Sequence, residues 1–380
     1  MTVAIVTGTR PEIIKMFPII RQFDSRSIDY KYIHTGQHYD YNLFLKFIQE
    51  FGIRKPDISI STDILNPVNQ VASIMEKLGI IMDKLKPSFV LVEGDTNSVL
   101  ASALSALKCK VPIAHVESGL RSYDWKTVEE HNRRIVDHVS DILFSPTNIS
   151  SANLENEHIH GKIYTVGNTV IDAINLCLQN DISDENKASH TTELSTRSQQ
   201  AVNLDKDGYE DDYILVTLHR SENVDDMNIL KQVLGALTAT NHKYIFPMHP
   251  HTVKRIQEYG LKSSIGENLK IIEPVGYLHF LKLLKSCKFA ITDSGGVQEE
   301  ITSPQINKRA IILRDSTERP ESIETGHSVL CKLEQGSILE EIEKLNANTN
   351  PLHGSSPYGI GDSAIKIVDV LEKNLSEGIL

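Results

Sequence analysis

Six times along this chain a short, β-branched apolar run ends in a polar turn and gives way to a helix-period segment. TVAIVT leads into GTRPEIIKMFPIIRQF, SFVLVE into GDTNSVLASALSALK, and IYTV into GNTVIDAINLCL. YILVTL is followed by HRSENVDDMNILKQVLGAL, YIFPM by HPHTVKRIQEYG, and FAITD by SGGVQEEITS. A strand that is apolar at every position is buried on both faces, as in a parallel sheet covered by crossover helices. The rhythm therefore predicts a doubly wound α/β protein.

At 380 residues the chain is long enough for two such domains. Two polar stretches punctuate it, 180–212 and 346–362. The expected division is a first Rossmann-like domain over 1–168 and a second over 169–361. A last amphipathic helix, within 362–380, is expected to cross back onto the first. Two doubly wound domains present their strand C-terminal ends to a shared cleft, where ligands of such sheets bind.

The net charge of -11 argues against a nucleic-acid binder that neutralises phosphates over a broad face. It leaves room for a small anion in a locally basic site. Cys109, Cys177, Cys287 and Cys331 are far apart and read as reduced thiols. The N-terminus reads as a first strand and not a signal peptide, and no apolar run is long enough to span a membrane. A cytoplasmic protein without membrane contact is expected. Zinc spacings, HExxH, DxDxDG and a GxGxxG after a strand are all missing, so neither a metal nor a dinucleotide cofactor is expected.

The unusual polar residues stand at strand ends. Gly8 to Glu12 closes the first strand, with Pro11 at a helix start; Arg10 and Lys15 could add charge-assisted bonds to a phosphate there. Ser294, Gly295 and Gly296 after FAITD make a compact anion nest, and Glu300 one turn on suits ribose hydroxyls. Asp95, Glu117 and Glu129 follow successive strands of the first half. Glu117, at the end of the apolar run VPIAHV, is the best placed of them for general acid or base work. His219 and Arg220 end YILVTL, and His249 ends YIFPM. Arg314, Glu318 and Arg319 form a charge lock after another strand.

Taken together, these segments closely resemble the non-hydrolysing UDP-N-acetylglucosamine 2-epimerase family. The matching stretches include GTRPEIIK (8–15), GDTNSVLAS (94–102), HVESGLRSYD (115–124), EEHNRRIVDHVSD (129–141), TLHRSENVD (217–225), EPVGYLHF (273–280), TDSGGVQEE (292–300) and RDSTERPE (314–321). The resemblance implies a glycosyltransferase-B-like pair of Rossmann-like domains facing a cleft, and a homodimer. It implies conversion of UDP-GlcNAc to UDP-ManNAc through an acetamidoglucal, with Asp95, Glu117 and Glu129 as acids and His219 beside them. It assigns UDP binding to Arg10, Lys15, His219, Ser294, Gly295, Gly296, Glu300 and Arg319 and the uracil side to Phe280, with the second domain expected to be the UDP-binding one; His249, at its strand end, is a further candidate for substrate contact.

The match has departures. Val128 stands where the family carries proline, Ser221 where it carries Arg, and Val275 where a polar residue is usual. The regulatory substrate site of bacterial members is marked by Gln-His-Arg. Here the run is Gln37-His38-Tyr39-Asp40, which predicts little cooperativity. Three other readings fit some of the residues: a 2-epimerase of a modified UDP-N-acetyl sugar, a glycosyltransferase of the same architecture, and a non-catalytic nucleotide binder.

Overall fold

A computed structural model describes residues 2–36, 48, 52–62, 66–185, 212–352 and 355–377. The Gln37–Asp40 run and most of the polar stretch at 180–212 lie outside the described residues. The chain forms two compact units, one of 1–176 with 358–380 and the other of 177–357.

The first unit holds a seven-stranded sheet: β1 (Val3–Thr7), β2 (Tyr30–His34), β3 (Ile58–Ser59), β4 (Phe89–Glu93), β5 (Ile113–Val116), β6 (Ile142–Ser145) and β7 (Lys162–Thr165). Their order is β3-β2-β1-β4-β5-β6-β7, and every pairing is parallel. The central strands β1 and β4 are buried at every residue, whereas β7 at the edge is not. Ala4, Val6, Val90 and Val92 pack against Ile74, Leu78 and Met82 of the helix Pro67–Leu85 and Val136 of the helix Val128–Val139.

The second unit holds β8 (Ile214–Thr217), β9 (Tyr244–Pro247), β10 (Leu269–Ile272), β11 (Ala290–Thr292), β12 (Ala310–Leu313) and β13 (Ser328–Cys331), all parallel. Their order is β10-β9-β8-β11-β12-β13. Its core sets Val216, Phe246, Ile291 and Ile311 against Leu230 and Leu234 of the helix Met227–Thr238 and Ile338 of the helix Gln335–Ala347. The doubly wound class expected from the strand rhythm is the one found, as two Rossmann-like domains.

In each sheet the chain starts at a middle strand, winds outward, and returns to wind the other way. The reversal falls between β1 and β4 in the first unit and between β8 and β11 in the second. These are the topological switch points at which doubly wound sheets bind ligands.

The last helix, Ser363–Glu377, belongs to the first unit. Asp172 accepts from its Ser363 and Ala364 N–H groups at 3.3 and 2.9 Å, satisfying orphan donors of its first turn. Arg26 pairs with Asp369 and Glu372, each at 2.6 Å. All four cysteines are free, and only Cys109 is partly exposed. No helix among the described residues is long and apolar enough to cross a membrane.

Candidate active site

At the first switch point the turn after β1 carries Gly8 and Thr9, and the turn after β4 carries Gly94, Asp95 and Thr96. Sequence reasoning takes Gly8–Glu12 as a turn that offers N–H groups to an outside anion. The structure turns one inward: Gly8 N–H donates to the Glu12 carboxylate at 2.7 Å. Thr9 Oγ1 and Thr96 Oγ1 donate to it as well, at 2.7 and 2.8 Å, so Glu12 joins the two turns. Burial pushes its pKa up to about 7 against the lowering effect of those bonds. Arg10 is exposed at the start of the helix Arg10–Ser25.

Lys15 lies on the buried side of the same helix, inside a group of carboxylates. It is ion-paired with Glu117, and its Nζ lies 3.5 Å from Glu93. Asn168 Nδ2 donates to Glu117 Oε2 at 2.8 Å. All four side chains are buried. Glu117 itself has a left-handed backbone, φ +64°. For a residue with a β-carbon that conformation costs on the order of 1–3 kcal/mol, and such strain clusters at functional sites.

The helix Val128–Val139 holds Asp95 and carries Glu129. Arg133 reaches Asp95 Oδ2 with Nε at 3.0 Å and Nη2 at 2.5 Å, and Asn132 Nδ2 donates to the Asp95 carbonyl at 2.9 Å. The adjacent glutamates part company. Glu129 is exposed in the first turn, while Glu130 is fully buried. Glu130 accepts from Ser122 N and Tyr123 N at 2.9 and 3.3 Å and from Arg133 Nη1 at 2.6 Å, and so holds the loop before the helix. Burial pushes Glu130 up, but these bonds and the Arg133 and Arg134 charges hold it below the ordinary range.

At the second switch point Asp293, following β11, is the hub. Its carboxylate accepts from Arg220 N at 2.9 Å, from His219 N at 3.1 Å and from Asn223 Nδ2 at 3.2 Å, with His219 Nδ1 at 3.1 Å. Burial opposes its charge, yet the His219 and backbone bonds hold its pKa below the usual carboxylate range. The imidazole of His219 is thus oriented while remaining about half exposed.

Ser294 caps the short helix Gly295–Glu300, accepting from Val297 N at 3.4 Å. The two glycines of the nest serve different ends. A Cβ on Gly295 would fall 2.7 Å from Arg319 Nη1 and 2.9 Å from Glu318 Oε1, so glycine lets the charged cluster pack onto the turn. A Cβ on Gly296 would meet nothing closer than Ser294 Oγ at 3.8 Å, leaving its backbone approachable. Arg319 is held by Glu318 and by Glu299 at 2.7 Å, and Arg314 meets Glu318 at 2.9 Å.

Glu300 is buried and accepts from Tyr277 OH at 2.9 Å. Phe280, on the same helix as Tyr277 (Tyr277–Ser286), is partly exposed. His249 follows β9, where Nδ1 accepts from His251 N at 3.2 Å to cap the helix Pro250–Glu258. Among the described residues no three His, Cys, Asp or Glu side chains converge to hold a metal ion.

Asp95 and Glu117 thus stand on neighbouring turns of the first unit with Lys15 reaching Glu117 from the helix Arg10–Ser25, and His219, Ser294–Gly296 and Arg319 around one switch point of the second. Sequence reasoning missed Glu12, Glu93, Arg133, Asn168 and Asp293. For Arg133 the available signal was its i, i+3 and i+7 spacing with Glu130 and Asp137 on one helix, because charged residues at that spacing share a face.

A family model described as UDP-N-acetylglucosamine 2-epimerase matches residues 21–372. The UDP-N-acetylglucosamine 2-epimerase of Methanocaldococcus jannaschii is 41% identical over 98% of this chain and 99% of its own. A crystal structure of the M. jannaschii enzyme in complex with UDP-GlcNAc and UDP aligns over 98% of this chain and 100% of that one, with a TM-score of 0.85 and 39% identity. The Neisseria meningitidis enzyme bound to UDP-GlcNAc aligns over the same shares with a TM-score of 0.86 and 33% identity. With relatives matching over nearly its whole length, the chain belongs to the UDP-N-acetylglucosamine 2-epimerase family.

Proposed function

We propose that this protein interconverts UDP-GlcNAc and UDP-ManNAc without net hydrolysis. A carboxylate takes the proton from carbon 2 as the carbon 1–oxygen bond to UDP breaks. The electron pair of the C–H bond becomes the C1–C2 double bond of 2-acetamidoglucal. A proton returns to the other face of carbon 2, and UDP re-adds at carbon 1. Atoms and charge balance with no redox step.

The observation that supports this reading best is Glu117, a buried carboxylate in strained backbone and gripped by Lys15 and Asn168. A rigid carboxylate shielded from water is suited to taking a weakly acidic proton. Asp95 and Glu129 are the other acids of the proposal. The second unit supplies binding of the leaving group: Ser294, Gly295, Gly296 and Arg319 for the diphosphate, Glu300 for the ribose, and Phe280 and His249 toward the nucleoside. Positive groups and backbone N–H dipoles stabilise the charge that develops on departing UDP. His219, oriented by Asp293, is the remaining catalytic group of the proposal. Arg10 is assigned to UDP, while the pairing of Lys15 with Glu117 assigns it to the acids as well.

We propose further that the enzyme is a cytoplasmic homodimer, works without added NAD or metal, and shows a hyperbolic dependence on substrate. The test is incubation with UDP-GlcNAc in deuterated water, followed by proton NMR. Appearance of UDP-ManNAc with deuterium at carbon 2 is expected. Free UDP and N-acetylmannosamine alone would point to hydrolysis, and an untouched substrate would overturn the reading. Running the same assay on deoxy and uronic UDP-sugars separates plain from modified substrates.

A further inference from the structure

The turns that carry Asp95 and Glu117 share a buried anchor. His115 on β5 is fully buried, and its two ring nitrogens meet different partners. Nε2 lies 2.8 Å from the carbonyl of Gly94, the residue before Asp95. Nδ1 lies 2.8 Å from Asp137 Oδ1, on the helix Val128–Val139. The other oxygen of Asp137 accepts from the N–H of Gly119, two residues after Glu117, at 3.1 Å. Arg121 Nη1 donates to the same oxygen at 2.7 Å, and its Nη2 donates to Glu157 at 2.7 Å. The path Gly94–His115–Asp137–Gly119 therefore runs from one acid-bearing turn to the other through side chains that are completely buried.

Both turns need external support. Gly94 and Gly119 have φ of +85° and +83°, and Glu117 between them in sequence is left-handed at +64°. A Cβ on Gly119 would lie 2.3 Å from the Ser150 carbonyl oxygen, so this turn packs without slack. The Gly94 carbonyl and the Asp137 carboxylate both accept, so the ring is held between the two turns through both of its nitrogens. Burial opposes the charge on Asp137, but the bond from His115 and the nearby Arg121 hold its pKa below the ordinary range, so it accepts from all its partners at neutral pH.

We propose that His115 and Asp137 are a positioning pair for the epimerisation, holding Asp95 and Glu117 at a fixed separation. The proposal rests on the reading of those two residues as the catalytic acids. Loosening a reacting group by about 1 Å can cost on the order of 100-fold in rate. Both side chains are fully buried, so the pair acts on turnover and not on nucleotide affinity.

The test uses the full chain with His115→Asn, His115→Gln and Asp137→Asn. Asn keeps a donor near the Nδ1 position, toward Asp137, and releases Gly94. Gln keeps one near Nε2, toward Gly94, and frees Asp137. Rates of carbon-2 deuterium exchange are counted per molecule that binds UDP by calorimetry, so lost protein does not imitate lost turnover. Expected are a fall in kcat of about 10–100-fold in His115→Asn and Asp137→Asn, KM within about twofold, unchanged UDP affinity, and partial retention in His115→Gln. Wild-type kcat per competent molecule in His115→Asn and Asp137→Asn overturns the proposal. So does parallel weakening of UDP binding, or failure of all three variants to give UDP-binding protein, because each marks a general role in folding. Asp95→Asn and Glu117→Gln are measured alongside. If these still exchange at the wild-type rate, the assignment of the acids falls. If they lose exchange while the His115 and Asp137 variants keep it, only the positioning pair falls.

Discussion

Lys15 and Glu117 are ion-paired across 102 positions of sequence, both buried, with Glu93 also 3.5 Å from the ammonium group. A buried cation between two carboxylates cannot be removed without leaving uncompensated charge. Lys15→Met is expected to lower stability by about 3–5 kcal/mol at pH 7, read from urea unfolding. Adding Glu117→Gln should restore part of that loss. A double variant whose cost is the simple sum of the two singles would show that the pair is not coupled.

Glu12 makes stability depend on pH. Its pKa rises from an ordinary 4.5 to about 7 in the folded protein, so the folded state holds the proton more tightly than the unfolded chain. Stability is therefore highest below about pH 4.5 as far as this group is concerned, and falls as pH rises through 7, by roughly 3 kcal/mol at most. Asp172, raised from 3.8 to about 6, adds a loss of the same sign in a lower window. Glu12→Gln should flatten the curve between about pH 4.5 and 7 and exceed the wild type at pH 8. Denaturation midpoints at several pH values check this, and an unchanged slope in the variant would refute it.

The cluster around Gly295 gives a prediction about affinity. Arg319→Ala removes a fixed cation beside the proposed diphosphate nest and is expected to weaken UDP binding by about 10–100-fold, the worth of a charge-assisted hydrogen bond. Calorimetric titration with UDP measures it. Near wild-type affinity would mean that Arg319 serves only to order Glu299 and Glu318.

Much of the fold was readable because β1, β4, β8 and β11, which flank the two switch points, are apolar runs bounded by Gly, Asp or His. The edge strand β3, two residues long, and β10, half exposed at its end, carry too little pattern to stand out. The site was readable only as far as strand ends reveal it. Glu129 and Glu130 differ in burial because of helix phase, which two identical neighbouring residues cannot disclose. Asp293 sits inside a motif that looks like a phosphate turn, and its hold on His219, 74 positions away, exists only once β8 and β11 pair. Glu12 reads as an ordinary acid in a first turn until Thr96 comes down upon it.

The central claim is carbon-2 proton transfer by Glu117 on a UDP-N-acetylhexosamine. Glu117→Gln keeps the size of the side chain and its contact with Asn168 but removes the base. The decisive measurement is carbon-2 deuterium exchange from UDP-GlcNAc by proton NMR, with UDP affinity determined on the same preparation. The expected result is exchange in the wild type, a fall on the order of 10²–10⁴-fold in the variant, and UDP binding left nearly intact. Exchange at close to the wild-type rate in Glu117→Gln, or no exchange in the wild type, would contradict the account.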